Sequence, residues 1–244
     1  MGTATMERSV AERSPTGIAS GVAYVGAAAF AIAAAWYGLG KLGVTMAREP
    51  AIQPGTSVEA SQRQYYAWFV TTLHQERLTT LVAILAFVSL IATAAFLRDL
   101  PARDRRMARI AAIGVTLGAT SWIVGNVAQL GAHRAVGLLS THDYSMETVS
   151  AVGFSFDLVR DAFEVTGFAL MGLGMIFFAL ATMRADATAK GWTWLTGVLG
   201  IATLALVVSY VFPVGDLSDP LLVSVGAVLV PAWLVWSGRR LAAT

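Results

Sequence analysis

Four ionisable side chains occupy one face of a predicted helix that leads into one of the most apolar stretches of the chain. Asp157, Arg160, Asp161 and Glu164 stand at positions i, i+3, i+4 and i+7, and this spacing aligns them along a single stripe. Charge beside a lipid-spanning segment is costly unless it faces a protein interior, a water-filled cavity or the membrane interface. The stripe is therefore the first place to look for chemistry.

Acid–base catalysis is one chemistry that the stripe can support, with Glu164 and Asp161 as the candidate catalytic residues. A carboxyl group at the lipid edge suits proton transfer when no cation neutralises it. Arg160 precedes Glu164 by four residues, however, and can form an i, i+4 ion pair with it. The sequence leaves open a functional site and an internally paired, structural stripe.

A second polar face is predicted on the preceding helix, where Asn126, Gln129 and His133 stand at i, i+3 and i+7. The short connection between the two helices makes them antiparallel neighbours, so that the two polar faces can meet. His74 and Arg77 enter from the start of another helix at a similar depth. We therefore expect one polar pocket built from three helices. Its candidate ligand-binding residues are His74, Arg77, Asn126, Gln129, His133, Asp157, Arg160, Asp161 and Glu164.

A metal ion can be held in such a pocket, because histidine nitrogens and carboxylate oxygens are ordinary zinc ligands. The candidate ligands are His133, His142, Asp157 and Asp161. No compact signature such as HExxH occurs in the chain. Haem needs axial ligands that face each other, and it is not expected here because His74 and His133 both lie at the edge of a span.

Six predicted membrane-spanning helices position these residues. Of the 244 residues, 56% are hydrophobic and 13% are charged, whereas a soluble domain carries about 25% charged residues. Long uncharged runs each approach the roughly 20 residues that cross the hydrocarbon core as a helix. The predicted spans are 18–39, 78–97, 110–130, 163–183, 191–212 and 221–238. The predicted fold is an all-α, six-helix transmembrane bundle.

One membrane domain, residues 18–240, accounts for the chain after a polar N-terminus, 1–17. The longest connection is an outer loop over 40–77, whose end can continue as an amphipathic helix into the second span. Its aromatic side chains suit a belt at the membrane interface. They are Tyr65, Tyr66, Trp68 and Phe69.

The basic residues predict how the bundle is oriented. Segment 98–109 holds five arginines and is assigned to the cytoplasm by the positive-inside rule. With this segment, 11 of the 17 Lys and Arg residues fall on the cytoplasmic side, and both termini are predicted to be cytoplasmic. The polar pocket is thereby placed on the outer side of what we expect to be a bacterial plasma membrane.

Composition excludes several functions. The chain has no cysteine, which rules out disulfides, thiolate nucleophiles and cysteine-based metal sites. A formal net charge of +2, without a basic patch interleaved with aromatic residues, argues against a nucleic-acid partner. The lipid bilayer is the partner that the composition indicates, and protein partners are not predicted.

Small residues and one proline predict how the spans pack. Gly17 and Gly21, like Gly114 and Gly118, stand four residues apart, a spacing that permits close contact between membrane helices. Pro231 predicts a kink in the last span, because proline frees a carbonyl from the helical hydrogen-bond pattern.

The run EVTGFALMGLGMIFFALATMRADATAKGWTWLTGVLGIATLAL, residues 164–206, resembles the second half of a group of bacterial six-span membrane proteins. That group is defined as a domain of unknown function. The shared pattern is a glycine-bearing apolar span, a short loop with Arg184, and Trp194-Leu195 followed by Gly197 and Gly200. The resemblance implies a six-span fold and no particular activity.

Three functions remain open on these observations. The first is non-catalytic, namely binding a small ligand or lipid, or assisting a membrane partner, through the outer pocket. The second is a membrane-embedded hydrolase or transferase, metal-dependent in one version, that acts on lipid-linked substrates. The third is a secondary transporter of a small solute, which is less favoured because the chain shows neither a clear internal repeat nor interrupted helices.

Overall fold

The computed structural model describes residues 15–45, 50, 53, 55–98, 104–183, 190–212 and 217–243. These residues form helices and no strand. The helices are α1 (Pro15–Lys41), α2 (Val58–Leu97), α3 (Arg105–Thr141), α4 (Met146–Thr182), α5 (Lys190–Val211), α6 (Ser218–Ser224), a π segment (Val225–Leu229) and α7 (Val230–Ala242). Within the described residues six segments are long and apolar enough to cross a membrane, the last comprising α6, the π segment and α7. The chain is therefore an all-α, multi-pass membrane protein, as its composition predicts.

Some predictions fall outside the residues that the structure describes. These are most of the polar N-terminus 1–17, the loop residue Arg184, and parts of the connections before α2, α3 and α6.

Three helix starts are encoded locally by capping side chains. The oxygen of Ser57 accepts a hydrogen bond from the Ala60 amide at the start of α2. Ser145 does the same for the amide of Thr148 in α4, and Asp104 caps α3 in the same way. A cap of this kind satisfies one of the amide groups that a helix start leaves without a partner. Helix α4 therefore begins well before the span that its hydrophobicity predicts.

Helices α2, α3 and α4 are longer than a membrane requires. They contain 40, 37 and 37 residues, which at 1.5 Å per residue gives about 60, 55 and 55 Å, against roughly 30 Å of hydrocarbon. The surplus lies at one end of the bundle, in residues 58–77, 131–141 and 146–157, which we call the extended end.

The extended end is helical. Helix α2 begins at Val58, as the sequence allows for the end of the outer loop 40–77, and only 142–145 separate α3 from α4. The physical reason is a hydrophobic core of its own, separate from the membrane core. It consists of Tyr66, Phe69, Leu73, Val136 and Val149.

Glycines bring α3 and α4 into backbone contact inside the membrane. A Cβ added to Gly118 would lie 2.6 Å from the carbonyl oxygen of Gly167, and one added to Gly174 would lie 2.7 Å from the amide nitrogen of Val115. Close contact at these glycines is what small residues in membrane helices predict. The parallel prediction for Gly21 is wrong, because nothing lies within 4 Å of a Cβ built there.

Next to Pro231, where the sequence predicts a kink, the structure has a π segment. The amide of Val230 donates to the carbonyl of Val225, five residues earlier, and α7 continues from there through Pro231. A π turn just before a proline lets the helix proceed although the proline has no amide hydrogen to donate.

Candidate functional site

A cavity of about 430 Å³ lies between the helices and runs from the extended end into the membrane core. This volume falls within the roughly 300–1,000 Å³ that small-molecule sites occupy. All six membrane-spanning segments contribute to its wall. Along α4 the wall runs from Arg160 to Met175, a rise of about 22 Å at 1.5 Å per residue.

The cavity is polar at one end and apolar at the other. Its polar mouth, at the extended end, is lined by Tyr37, Lys41, Tyr65, Trp68, Glu76, Gln129, Arg160, Asp161, Glu164, Tyr210 and Asp219. Its apolar base, in the membrane core, is lined by Phe30, Phe87, Leu90, Trp122, Phe168, Met171, Met175 and Leu199. Asn126 lines the cavity between the two ends. The order is the same on every long helix, with polar residues nearer the extended end.

Arg160 is the centre of the charged stripe that the sequence singled out. Its Nη2 lies 3.2 Å from Asp161 Oδ1, and its Nε lies 3.3 Å from Glu164 Oε1. Its Nη1 is 4.0 Å from Asp157 Oδ1. The stripe is thus internally paired, but one guanidinium faces three carboxylates. At formal charges the stripe keeps an excess of negative charge.

Asp157 belongs to the extended end rather than to the cavity wall. The hydroxyl of Tyr66 donates a hydrogen bond to its Oδ2, and the Tyr66 ring lies against Gly153, where a Cβ would collide with it. Tyr66 and Phe69 are 1% and 4% exposed. Their predicted place in an interfacial belt is therefore wrong, because both rings fill the core of the extended end.

The predicted polar face of α3 meets the stripe across the cavity. Asn126 and Gln129 both line the cavity, and the Ser121 hydroxyl donates to the carbonyl of Phe163 at 2.7 Å, which fixes α3 against α4. Asn126 is 3% exposed, and its Nδ2 donates to the carbonyl of Trp122 at 2.8 Å.

His133 completes the predicted α3 face but lies outside the cavity wall. It is fully buried in the extended end, with its ring centroid 5.1 Å from that of Phe69. Arg77 donates from Nη2 to the His133 carbonyl oxygen at 2.9 Å. Neither ring nitrogen of His133 has a hydrogen-bond partner among the described residues. Both residues therefore lie in the extended end beside the mouth and do not line it.

The candidate metal ligands are not brought together. His142 is exposed, with Nδ1 2.8 Å from the Leu138 carbonyl oxygen, whereas His133 is buried and Asp157 is held by Tyr66. Within the described part of the chain, no group of three or more His, Cys, Asp or Glu residues could hold a metal ion. His74 is exposed and does not line the cavity.

Sequence reasoning missed the contributions of the first, fifth and last spans to the mouth, the fifth through Tyr210. The Tyr37 hydroxyl donates to Asp219 Oδ1 at 2.8 Å, and Lys41 Nζ lies 3.2 Å from Asp219 Oδ2. The Lys41 ammonium also lies 5.4 Å from the centroid of the Tyr37 ring. The available signal was the i, i+4 spacing of Tyr37 and Lys41 at the end of their span.

A second polar cluster lies at the opposite end of the bundle. The indole nitrogen of Trp192 donates to Ser237 Oγ, and that of Trp233 donates to Thr196 Oγ1, both at 2.9 Å. Arg240 covers the ring of Trp192 at 4.8 Å. We call these five residues the tryptophan cluster. Its members do not line the cavity.

Comparison with known proteins gives no match for this chain, whether with family models, with curated proteins or with solved structures. The resemblance of residues 164–206 to a bacterial six-span group stays a prediction. Function is therefore argued from the cavity itself.

Proposed function

We propose that this membrane protein binds one amphiphilic small molecule or lipid in the cavity between its helices. The headgroup occupies the polar mouth, and the apolar chain extends into the base. The observation that carries the proposal is the polarity gradient within one cavity, from the carboxylates beside Arg160 to Phe168, Met171 and Met175 along a single helix. A purely polar solute would leave the base unfilled, and a purely apolar one would leave the mouth charges without a counterpart.

The arrangement favours binding over the catalytic and transport alternatives. Glu164, the first candidate for acid–base work, pairs with Arg160 at 3.3 Å, and the described residues gather no metal-binding group. All charged residues of the cavity wall lie at the mouth. A polar solute would therefore have no charged path through the base toward the opposite end of the bundle.

We also propose that the chain resides in a plasma membrane with the mouth on the outer side, in line with the basic segment 98–109. The absence of cysteine makes this simple to test. Tyr144 and Arg105 are exposed at opposite ends of the bundle. A membrane-impermeant maleimide added to intact cells should label Tyr144→Cys and not Arg105→Cys, and the reverse pattern would overturn the orientation.

The binding proposal can be tested with 10-bromodecanol, since bromine quenches tryptophan fluorescence on contact and Trp122 lines the base of the cavity. Protein in phosphatidylcholine nanodiscs should show a saturable quenching component. Trp122→Phe should remove that component. Quenching that rises only linearly with the amphiphile, as partition into lipid produces, would contradict binding in the cavity.

A matched pair of variants on α1 locates the site independently of Trp122. Ala33 lines the cavity, whereas Ala35 is exposed on the same helix and does not line it. Ala33→Phe should weaken saturable quenching by about tenfold, because it fills the space that the chain needs. Ala35→Phe should leave the affinity unchanged, and equal effects of the two variants would speak against the cavity.

A further inference from the structure

We propose that the polar mouth selects a positively charged headgroup, an alkylammonium or related amine, over an anionic one. This inference rests on the proposed binding function and adds to it the chemical class of the ligand. Three separate observations lead to it, namely the balance of charge in the wall, the direction of its free hydrogen-bonding capacity, and its aromatic residues.

The first observation is the balance of formal charge. Among the described residues, the cations of the mouth are Lys41 and Arg160, and its carboxylates are Asp161, Glu164, Asp219 and Glu76. Glu76 has an interaction of its own, which leaves three carboxylates against the two cations. Both cations are engaged already, Lys41 with Asp219 at 3.2 Å and Arg160 with the carboxylates of its own helix. The Asp161 side chain remains 46% exposed. A cationic headgroup therefore gains Coulomb attraction here, and an anionic headgroup is repelled.

The second observation concerns buried acceptors. Glu164 is 5% exposed and Asn126 is 3% exposed, and both line the cavity. Glu164 Oε1 lies 3.3 Å from Arg160 Nε, and the Asn126 amide donates from Nδ2 to its own helix, which leaves its oxygen as an acceptor. Two buried donors of the wall make no hydrogen bond among the described residues, but Trp122 Nε1 lies at the base and Arg160 Nε faces Glu164. A headgroup in the mouth therefore meets mainly acceptors, which bind a donor.

The threonines of the wall add acceptors and no donors. The hydroxyls of Thr79, Thr80 and Thr203 each donate to the carbonyl four residues earlier on the same helix, at 3.0, 2.8 and 2.7 Å. Their lone pairs are what remains for a ligand. An ammonium group has three donors and no acceptor, and it matches this wall, whereas a sulfate or phosphate headgroup offers only further acceptors.

The third observation is the aromatic lining of the mouth. Tyr37, Tyr65, Trp68 and Tyr210 all line it. The faces of such rings attract cations, and Lys41 already lies 5.4 Å from the Tyr37 ring centroid. The same groups that bind an internal ammonium can therefore bind one carried by a ligand.

The experiment compares four amphiphiles that differ only in the headgroup: 10-bromodecylamine, its trimethylammonium analogue, 10-bromodecanol and 10-bromodecyl sulfate. Saturable quenching is measured in phosphatidylcholine nanodiscs, with Trp122→Phe as the background. We expect the two cations to bind about tenfold or more tightly than the sulfate, with the alcohol in between. Equal affinities, or a preference for the sulfate, would overturn the headgroup inference.

Two variants and one control test which carboxylates produce the preference. Glu164→Gln should reduce the preference for the amine over the alcohol by about fivefold. Asp161→Asn should reduce this preference by a smaller factor, because Asp161 is more exposed. Folding also depends less on Asp161. Glu147→Gln removes an exposed carboxylate from the first turn of the same helix and should change nothing. An unchanged preference in both mouth variants would overturn the inference.

The failure of the inference is distinguishable from the failure of the binding function. If all four amphiphiles show equal saturable quenching that Trp122→Phe removes, the cavity binds amphiphiles and the charge preference is wrong. If none of them shows a saturable component, both proposals fail together.

Discussion

The tryptophan cluster and the polar mouth are two polar regions of one apolar bundle, and their hydrogen bonds are organised differently. In the tryptophan cluster each indole nitrogen has a hydroxyl partner at 2.9 Å. Among the described residues the mouth has more carboxylates than cations, and Arg160 faces the carboxylates of Asp161 and Glu164 at 3.2 and 3.3 Å. Paired indole and hydroxyl groups stabilise helix packing, whereas a cluster with a surplus of carboxylates has capacity left for a ligand.

The two regions also differ in how far their polar side chains are exposed. Trp192 and Trp233 are 1% and 0% exposed, and Ser237 is fully buried. Asp161 and Asp219, in contrast, keep 46% and 45% of their side-chain surface exposed. Polar residues inside a membrane protein are thus not functional by default. The relevant criterion is whether the polar groups of a cluster find their hydrogen-bond partners within that cluster.

The largest effect should come from breaking the satisfied cluster. Trp233→Ala removes a fully buried side chain and leaves the Thr196 hydroxyl oxygen without its donor, so we expect a loss of about 4–5 kcal/mol in unfolding free energy. Reversible unfolding in mixed micelles measures it. The exposed Trp194 gives the control, since Trp194→Ala should cost little. Among molecules that remain folded, the affinity for 10-bromodecylamine should be unchanged. A loss of affinity in parallel with stability would show that the tryptophan cluster and the mouth are not independent.

Removing Arg160 from the mouth should have the next largest effect. Arg160→Met leaves Glu164 buried without its ion-pair partner, which should cost about 3 kcal/mol in unfolding free energy. The double variant Arg160→Met/Glu164→Met should recover part of that loss, because it removes the uncompensated charge. A double variant no more stable than Arg160→Met would show that the pair does not act as a unit.

The contact that holds α4 against α3 beside the base of the cavity can be tested at Gly118. A Cβ there would lie 2.6 Å from the Gly167 carbonyl oxygen and 2.7 Å from the Met171 amide nitrogen. Because backbone cannot yield as a flexible side chain can, Gly118→Ala should cost about 2 kcal/mol. Gly21→Ala, where nothing lies within 4 Å, is the control and should not destabilise. Equal melting temperatures for the two variants would contradict the close contact.

The sequence predicted what depends on local periodicity. The six spans, the contact at Gly118 and the stripe around Arg160 all follow from spacing along single helices. The length of α2, α3 and α4 was only partly predictable, because a polar helix outside the membrane resembles a loop in hydrophobicity. Capping by Ser57 and Ser145 is the signal that marks their true starts.

Contacts between distant helices could not be predicted in the same way. Tyr37 and Asp219 are 182 residues apart, and no periodicity on α1 indicates which helix lies opposite. Tyr66 shows the same limit. Its position before a span is typical of an interfacial aromatic, but its ring packs against Gly153 on α4, and only the tertiary arrangement determines that.

Asp161→Asn should have the smallest effect on stability but a clear effect on ligand affinity. This substitution therefore separates the mouth from the tryptophan cluster most sharply. Asp161 is close to half exposed and only 3.2 Å from Arg160, so Asp161→Asn should cost less than about 1 kcal/mol of unfolding free energy. It nevertheless removes one negative charge from the mouth, and 10-bromodecylamine should bind several-fold more weakly than to the unmodified protein. Thermal unfolding and quenching titrations on one preparation measure both quantities. Thr196→Val in the tryptophan cluster should lower stability, because it leaves the buried Trp233 N–H without an acceptor. It should leave the affinity for 10-bromodecylamine unchanged, because Thr196 lies away from the cavity. If both substitutions lowered stability and affinity in the same proportion, the mouth would be a structural cluster like the other one.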